Sequence, residues 1–263
     1  MVVIDSQSCI GCGACVQDCP QANLSVEEGT AKVLGNCMQC GHCVAICPAN
    51  AVRIPEYDME DVTEYDPETF RLAPEQVLNA IKFRRSIRHF KNTAVPPETL
   101  RKIIEAGRYT ETAVNRQDNR FIVVQEKLPE FRKLIWEGWR KTAEILREQS
   151  DPQAQWYRSV YEKYENHPER DPLFFGAPVL LAVASGRALN GGMASANMET
   201  MAVSLGLGVL VSGMIERAIK ANLQAQEWLE LGEKQLVSCM LVGYPQLQYR
   251  RTAPRLRADI TWK

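Results

Sequence analysis

A chain of 263 residues with 45% hydrophobic and 24% charged residues has the composition of a globular protein of one or two domains. Its formal net charge of -1 gives no electrostatic reason to bind nucleic acid or a membrane surface, and no run approaches the roughly 18 apolar residues of a membrane span. The opening Met1-Val2-Val3-Ile4-Asp5 lacks a basic segment followed by an apolar one, so the expectation is a cytoplasmic protein without a signal peptide.

Eight of the nine cysteines lie between positions 9 and 47, and dense cysteine in a cytosolic chain points to metal rather than disulfides. They form a repeat with an offset of 28 residues, in which Cys9, Cys12, Cys15, Cys19 and Pro20 align with Cys37, Cys40, Cys43, Cys47 and Pro48. Gly13 aligns with Gly41 and is expected to let backbone approach a bound group closely. Each half ends in an apolar pair, Leu24 and Val26 or Val52 and Ile54, which reads as a short strand.

A C-x2-C-x2-C-x3-C-P run resembles the bacterial two-cluster ferredoxins. Three thiolates at i, i+3 and i+6 can grip three irons of a cubane, and the fourth cysteine points away to the other cluster. The resemblance assigns Cys9, Cys12, Cys15 and Cys47 to one [4Fe–4S] cluster, and Cys37, Cys40, Cys43 and Cys19 to the second. Structural zinc also takes four cysteines, but it pairs two separated knuckles and has no use for this run twice over. His42, inside the second run, is not needed as a ligand. The ninth cysteine, Cys239, falls in the apolar run 236–242 and reads as a buried core thiol.

Residues 1–55 thus form the cluster domain. Residues 56–74 are acidic and proline-marked and read as a linker. From 75 onward the pattern mixes helices and strands. Helices are expected at 75–83, 97–108, 128–149, 193–205 and 215–231, and strands at 121–124, 178–184 and 236–242. The aromatic stretch 151–172 has helical spacing, and the tail 249–263 is basic and irregular. A central sheet flanked by helices follows, and the fold class is α+β.

Three polar features stand out in this second part. Arg84-Arg85-Ser86-Ile87-Arg88 can satisfy a phosphate through guanidinium and hydroxyl donors. Asn115-Arg116-Gln117 precedes a strand, and Arg255-Leu256-Arg257 closes the tail. With Gly176-Ala177-Pro178 and the stretch 198–213, read as a helix and a following turn, these resemble the nitroreductase family of FMN enzymes over residues 75–263. Where that family often reads Gln-Pro-Trp, this chain has Gln117-Asp118-Asn119.

The resemblance implies that Arg84, Arg85, Ser86 and Arg88 bind the FMN phosphate and ring edge. It implies Asn115 and Gln117 beside the flavin, Ser212 and Gly213 at a turn by the ring, and Arg255 and Arg257 completing the phosphate site. It also implies a homodimer. Gly206-Leu207-Gly208 follows a helix rather than a strand and lacks the third glycine of a dinucleotide fingerprint, so electrons are expected to enter through the clusters. The expected activity is an FMN-dependent oxidoreductase that takes electrons from an external ferredoxin or reductase and passes them to a small-molecule acceptor, nitroaromatic or quinone. Flavin N5 carries the chemistry and no side chain acts as nucleophile or base. The competing expectation is a non-enzymatic electron-transfer or redox-sensing protein.

Overall fold

The computed structural model describes residues 1–263 and divides into two compact units. The first comprises Met1–Arg71 with Thr112–Arg116, and the second Leu72–Glu111 with Gln117–Lys263.

In the first unit the cysteine repeat is built as two loop–helix pieces. Each run turns through one four-residue helix, α1 (Ala14–Gln17) or α2 (His42–Ala45), entered from Gly13 or Gly41 at φ 75° and 80°. Both glycines take the left-handed backbone, and no protein atom stands within 4 Å of where a Cβ would lie on either. A close approach of chain to chain lies at Gly11, whose Cβ would collide with the carbonyl of Gly29. Helices this short do not persist alone. They are held by two antiparallel ladders, β1 (Val3–Ile4) with β4 (Val52–Arg53) and β2 (Leu24–Glu27) with β3 (Thr30–Val33). The apolar core between them is small, built on Val2, Leu24, Ala31, Val52 and Ile54 with the cysteines packed against it. Beyond it, a turn of 3-10 helix at Met59–Asp61 and the short helix α3 (Pro67–Phe70) are capped by Asp58 and Asp66.

The second unit is a four-stranded antiparallel sheet covered on both faces. Its elements are α4 (Pro74–Phe83), α5 (Pro97–Arg108), β5 (Arg120–Val124), α6 (Leu128–Glu148), α7 (Ala154–Asn166), β6 (Val179–Ser185), α8 (Ala188–Ser204), β7 (Gly208–Val211), α9 (Gly213–Lys220), α10 (Leu223–Trp228) and β8 (Gln235–Gly243). The strand order is β5-β6-β8-β7. Side chains alternate across a strand, so β6 feeds two cores. Leu180, Ala182 and Ala184 join the core under α6, α7, α9 and α10, while Val179, Leu181 and Val183 join the core under α5 and α8. All seven residues of β6 are buried, which accounts for its unbroken apolar reading. Cys239 is buried in β8, and burial pushes its thiol far up.

Three sequence expectations are corrected. The stretch after α8 is not only a turn: Gly208–Val211 forms the edge strand β7, four residues long and hidden behind its glycines. The expected helix at 215–231 is two helices, because Asn222 caps α10 by accepting from Ala225 N at 3.3 Å. The helix expected at 193–205 begins at Ala188, and its Gly191 lies tight against Val237.

Helix α6 sets the larger core. Its Phe131, Ile135 and Trp139 are at most 1% exposed, and full burial of each contributes about 1.5–3 kcal/mol. The aromatic stretch packs here: Trp136 stacks on Tyr164 at 4.1 Å, and Trp139 meets Trp156 and Tyr157. The buried carboxylate of Asp171 accepts from Leu173 N at 2.9 Å, Phe174 N at 3.0 Å and Trp136 Nε1 at 3.3 Å, which ties the turn before β6 to α6. Truncating Phe131 to Ala should cost about 3–5 kcal/mol. All five tryptophans lie in the second unit, so denaturant unfolding followed by tryptophan fluorescence reports that unit alone.

Candidate functional site

The eight thiols of the first unit surround two separate spaces. One, with an empty volume of ≈ 350 Å³, is lined by Cys9, Cys12, Cys15 and Cys47. The other, of ≈ 390 Å³, is lined by Cys19, Cys37, Cys40 and Cys43. Each set takes three cysteines from one run and the last cysteine of the other. A purely thiol donor set of this size suits a soft iron–sulfur group.

Backbone amides reinforce the sulfurs. Asn23 N donates to Cys19 Sγ and Ala51 N to Cys47 Sγ, both at 3.3 Å and at equivalent places in the repeat. Ala31 N donates to Cys9 Sγ at 3.4 Å and Gln39 N to Cys37 Sγ at 3.3 Å. Main-chain donors leave no side-chain signature, so sequence reasoning did not find them. Burial raises the Cys15 thiol, helped by neighbouring Cys47, Cys12 and Cys9. Burial likewise pushes Cys43 up to about 11, with Cys37 and Cys40 adding to it. A thiol must lose its proton to ligate, so filling these spaces releases protons and is favoured as the pH rises. His42 pairs with Asp18 at 3.0 Å and lies on the wall of the second space.

In the second unit the stretch 84–88 lies along the free edge of β7. Ser86 bridges Val209 in parallel, and Ile87 N donates to Val209 O at 3.0 Å. Only glycine at 208 allows this approach, since a Cβ there would strike Ile87. The bridge brings the basic stretch beside the strand that leads into Ser212, which caps α9 by accepting from Ile215 N at 3.3 Å. Arg84 is taken by Glu199 at 3.0 Å, a partner the sequence did not suggest. Arg85 spends Nη1 on the carbonyls of Lys82 and Arg84, at 3.1 and 2.6 Å, and leaves Nη2 buried without a partner. An orphaned guanidinium N–H costs about 1–3 kcal/mol until an anion meets it. Arg88 is exposed.

The remaining candidates have surroundings of their own. Asn115 folds with the first unit and donates Nδ2 to Gln39 O at 2.7 Å and Tyr57 Oη at 3.3 Å. Gln117 is exposed, in the left-handed region at φ 49°. The departure at Asp118 is structural: its carboxylate takes Asn190 Nδ2 at 3.3 Å, and its carbonyl takes Lys234 Nζ at 2.6 Å. Arg255 and Arg257 lie exposed on the irregular tail. A cavity of ≈ 670 Å³ between α6 and α7, lined by Arg140, Arg147, Arg158, Glu144 and Glu162, contains none of the candidate residues. Four of its charged side chains pair with each other, Arg140 with Glu144 and Arg158 with Glu162, both at 2.7 Å.

Comparison with known proteins follows the same division. Residues 1–48 match a 4Fe-4S dicluster domain, and residues 81–244 match the Nitroreductase family. A nitroreductase with bound FMN from Bacteroides fragilis is 23% identical, with a TM-score of 0.57 over 71% of this chain and 99% of that one. A nitroreductase with bound FMN from Desulfitobacterium hafniense is 26% identical, with a TM-score of 0.52 over 71% and 97%. An FMN-dependent nitroreductase from Clostridium difficile is 19% identical, with a TM-score of 0.53 over 72% and 100%. No curated relative matches. The chain belongs to the nitroreductase family and carries a 4Fe-4S dicluster domain at its N-terminal end.

Proposed function

We propose that the protein is an iron–sulfur flavoprotein oxidoreductase that moves electrons from two [4Fe–4S] clusters to FMN and on to a small organic acceptor of nitroaromatic or quinone type. The observation that carries this reading is the pair of thiol-lined spaces, each closed by a cysteine from the opposite run, in a chain of a flavin-enzyme family. When bound, the clusters carry single electrons, and FMN turns single-electron supply into two-electron reduction.

The chain's own residues hold and tune these groups. Cys9, Cys12, Cys15 and Cys47 hold one cluster, and Cys37, Cys40, Cys43 and Cys19 the other. Arg85, with its unpartnered buried Nη2, and the Ser86 hydroxyl hold the flavin phosphate. Arg88 supplies positive charge near the ring, which favours its reduced, anionic state. Gln117 and the start of α9 at Ser212–Gly213 border the ring. Arg84, neutralised by Glu199, fixes the start of the basic stretch. Arg255 and Arg257, on the irregular tail, complete the phosphate site. In the proposed homodimer, the exposed apolar face of α4 (Val77, Leu78, Ile81) and the exposed tail residues Leu256, Ile260 and Trp262 are covered by the second copy. No helix is long and apolar enough to cross a membrane. A cytoplasmic setting keeps the thiols reduced, and the electron donor is an external ferredoxin or reductase.

Anaerobically purified protein should show broad iron–sulfur absorption beneath resolved flavin bands. Clusters without flavin would leave the electron-transfer or sensing alternative standing, and neither would sink both readings. In Cys47→Ser, iron content should fall to about half, with the cluster of the Cys9 run lost and that of the Cys37 run retained. Loss confined to the Cys37 run would refute the crossed pairing. Arg85→Ala should weaken FMN binding about 10- to 100-fold by fluorescence titration, in line with about 1.5–3 kcal/mol for a hydrogen bond to a charged group. Arg85→Lys should recover part of it.

A further inference from the structure

The two cysteine runs are copies, but at one left-handed backbone position they carry different residues. Gly11 and Gln39 are equivalent under the 28-residue offset, and both sit in the left-handed region, at φ 64° and 51°. Glycine takes that conformation freely. In glutamine it crowds the Cβ against the following carbonyl oxygen. In the second run something must hold the strained peptide.

The side chain that holds it is Asn115. Its Nδ2 donates to Gln39 O at 2.7 Å and reaches Met38 O at 3.5 Å, and these are the two residues between Cys37 and Cys40. Tyr57 Oη, at 3.3 Å, steadies the same amide. On its other side, Met38 N donates to Gln21 Oε1 at 3.1 Å. The outcome is an amide aimed at sulfur: Gln39 N donates to Cys37 Sγ at 3.3 Å. The segment that presents Asn115 is itself strained, with Val114 at φ 51° and Asn115 at φ 52°. A β-branched residue there is an outlier that persists only where its surroundings over-determine it. Thr112–Arg116 folds with the cluster unit even though it lies within the residues that match the Nitroreductase family.

We propose that Asn115 is a positioning residue for the Cys19/Cys37/Cys40/Cys43 cluster. It locks Gln39 so that its amide points at Cys37 Sγ. This inference rests on the cluster reading given above. An N–H donated to a ligating sulfur stabilises the reduced, more negative state of a cluster and raises its potential. Loss of the Gln39 amide from Cys37 Sγ would lower the potential of the cluster that Cys37 helps to hold.

The test is redox titration of Asn115→Ala followed by electron paramagnetic resonance, with iron and flavin content measured alongside. The signal missing from Cys37→Ser identifies the second cluster. Its reduced-to-oxidised ratio at fixed potential should fall about tenfold, ~59 mV for one electron. The other cluster and the flavin content should not change. Loss of flavin with both potentials unchanged would return Asn115 to the flavin site and overturn the proposal, as would no change in either. Gln39→Gly removes the strain, so the same Asn115→Ala change in that background should shift the potential much less. If Asn115→Ala alone loses iron, Gln39→Gly should restore it, and failure to do so also overturns the clamp. Absence of iron–sulfur signal in the unmodified protein would instead refute the cluster reading, whatever the variants do.

Discussion

A thiol set completed from the opposite run is the constraint on which the first unit depends. Neither run can surround its space with its own cysteines, because the fourth thiol of each is carried past it by a three-residue gap. The two halves are thereby interlocked. The apolar core around Val2, Leu24 and Ile54 is too small to hold two four-residue helices and two short ladders by burial alone. In the proposed loaded state, ligation supplies the missing cohesion, and the amides of Asn23, Ala31, Gln39 and Ala51 set the polarity around the sulfurs.

The second unit solves a different problem. Its sheet is buried on both faces, so polar chemistry must sit at an edge or at the ends of strands. The basic stretch 84–88 takes the edge beside β7, and Ser212 takes the end of that strand. Both positions depend on small details, a glycine at 208 and a cap at 212. Rigid packing behind them, from Ile87 and Ile215, holds donors where an anionic cofactor can meet them.

Much of this was legible in the residues. Cysteine spacing marked both loops, and the proline at 97 marked the first turn of α5. Apolar periodicity found α6, β6 and β8. Edge strand β7 was obscured because four residues after a glycine have no period to read. The break at Asn222 was obscured because the helical pattern continues through it while the cap is local. The place of Asn115 was least legible of all. Its partner is a main-chain carbonyl 76 residues away, and a carbonyl carries no residue identity. Family resemblance points that asparagine to a flavin, and its side chain donates to the cysteine loop.

The discontinuity of the first unit has a consequence for how the protein is made. By the time residue 47 has left the ribosome, every thiol of both sets has been synthesised. The segment Thr112–Arg116, which completes the same unit, has not. At about 5–20 residues per second it follows several seconds later, after α4 and α5. For that interval the nascent cysteine loops exist without their last piece, and Gln39 has no clamp. The cluster unit is therefore finished by its downstream neighbour in the chain, and a polypeptide released before residue 116 would carry all eight thiols in a unit that is not yet whole.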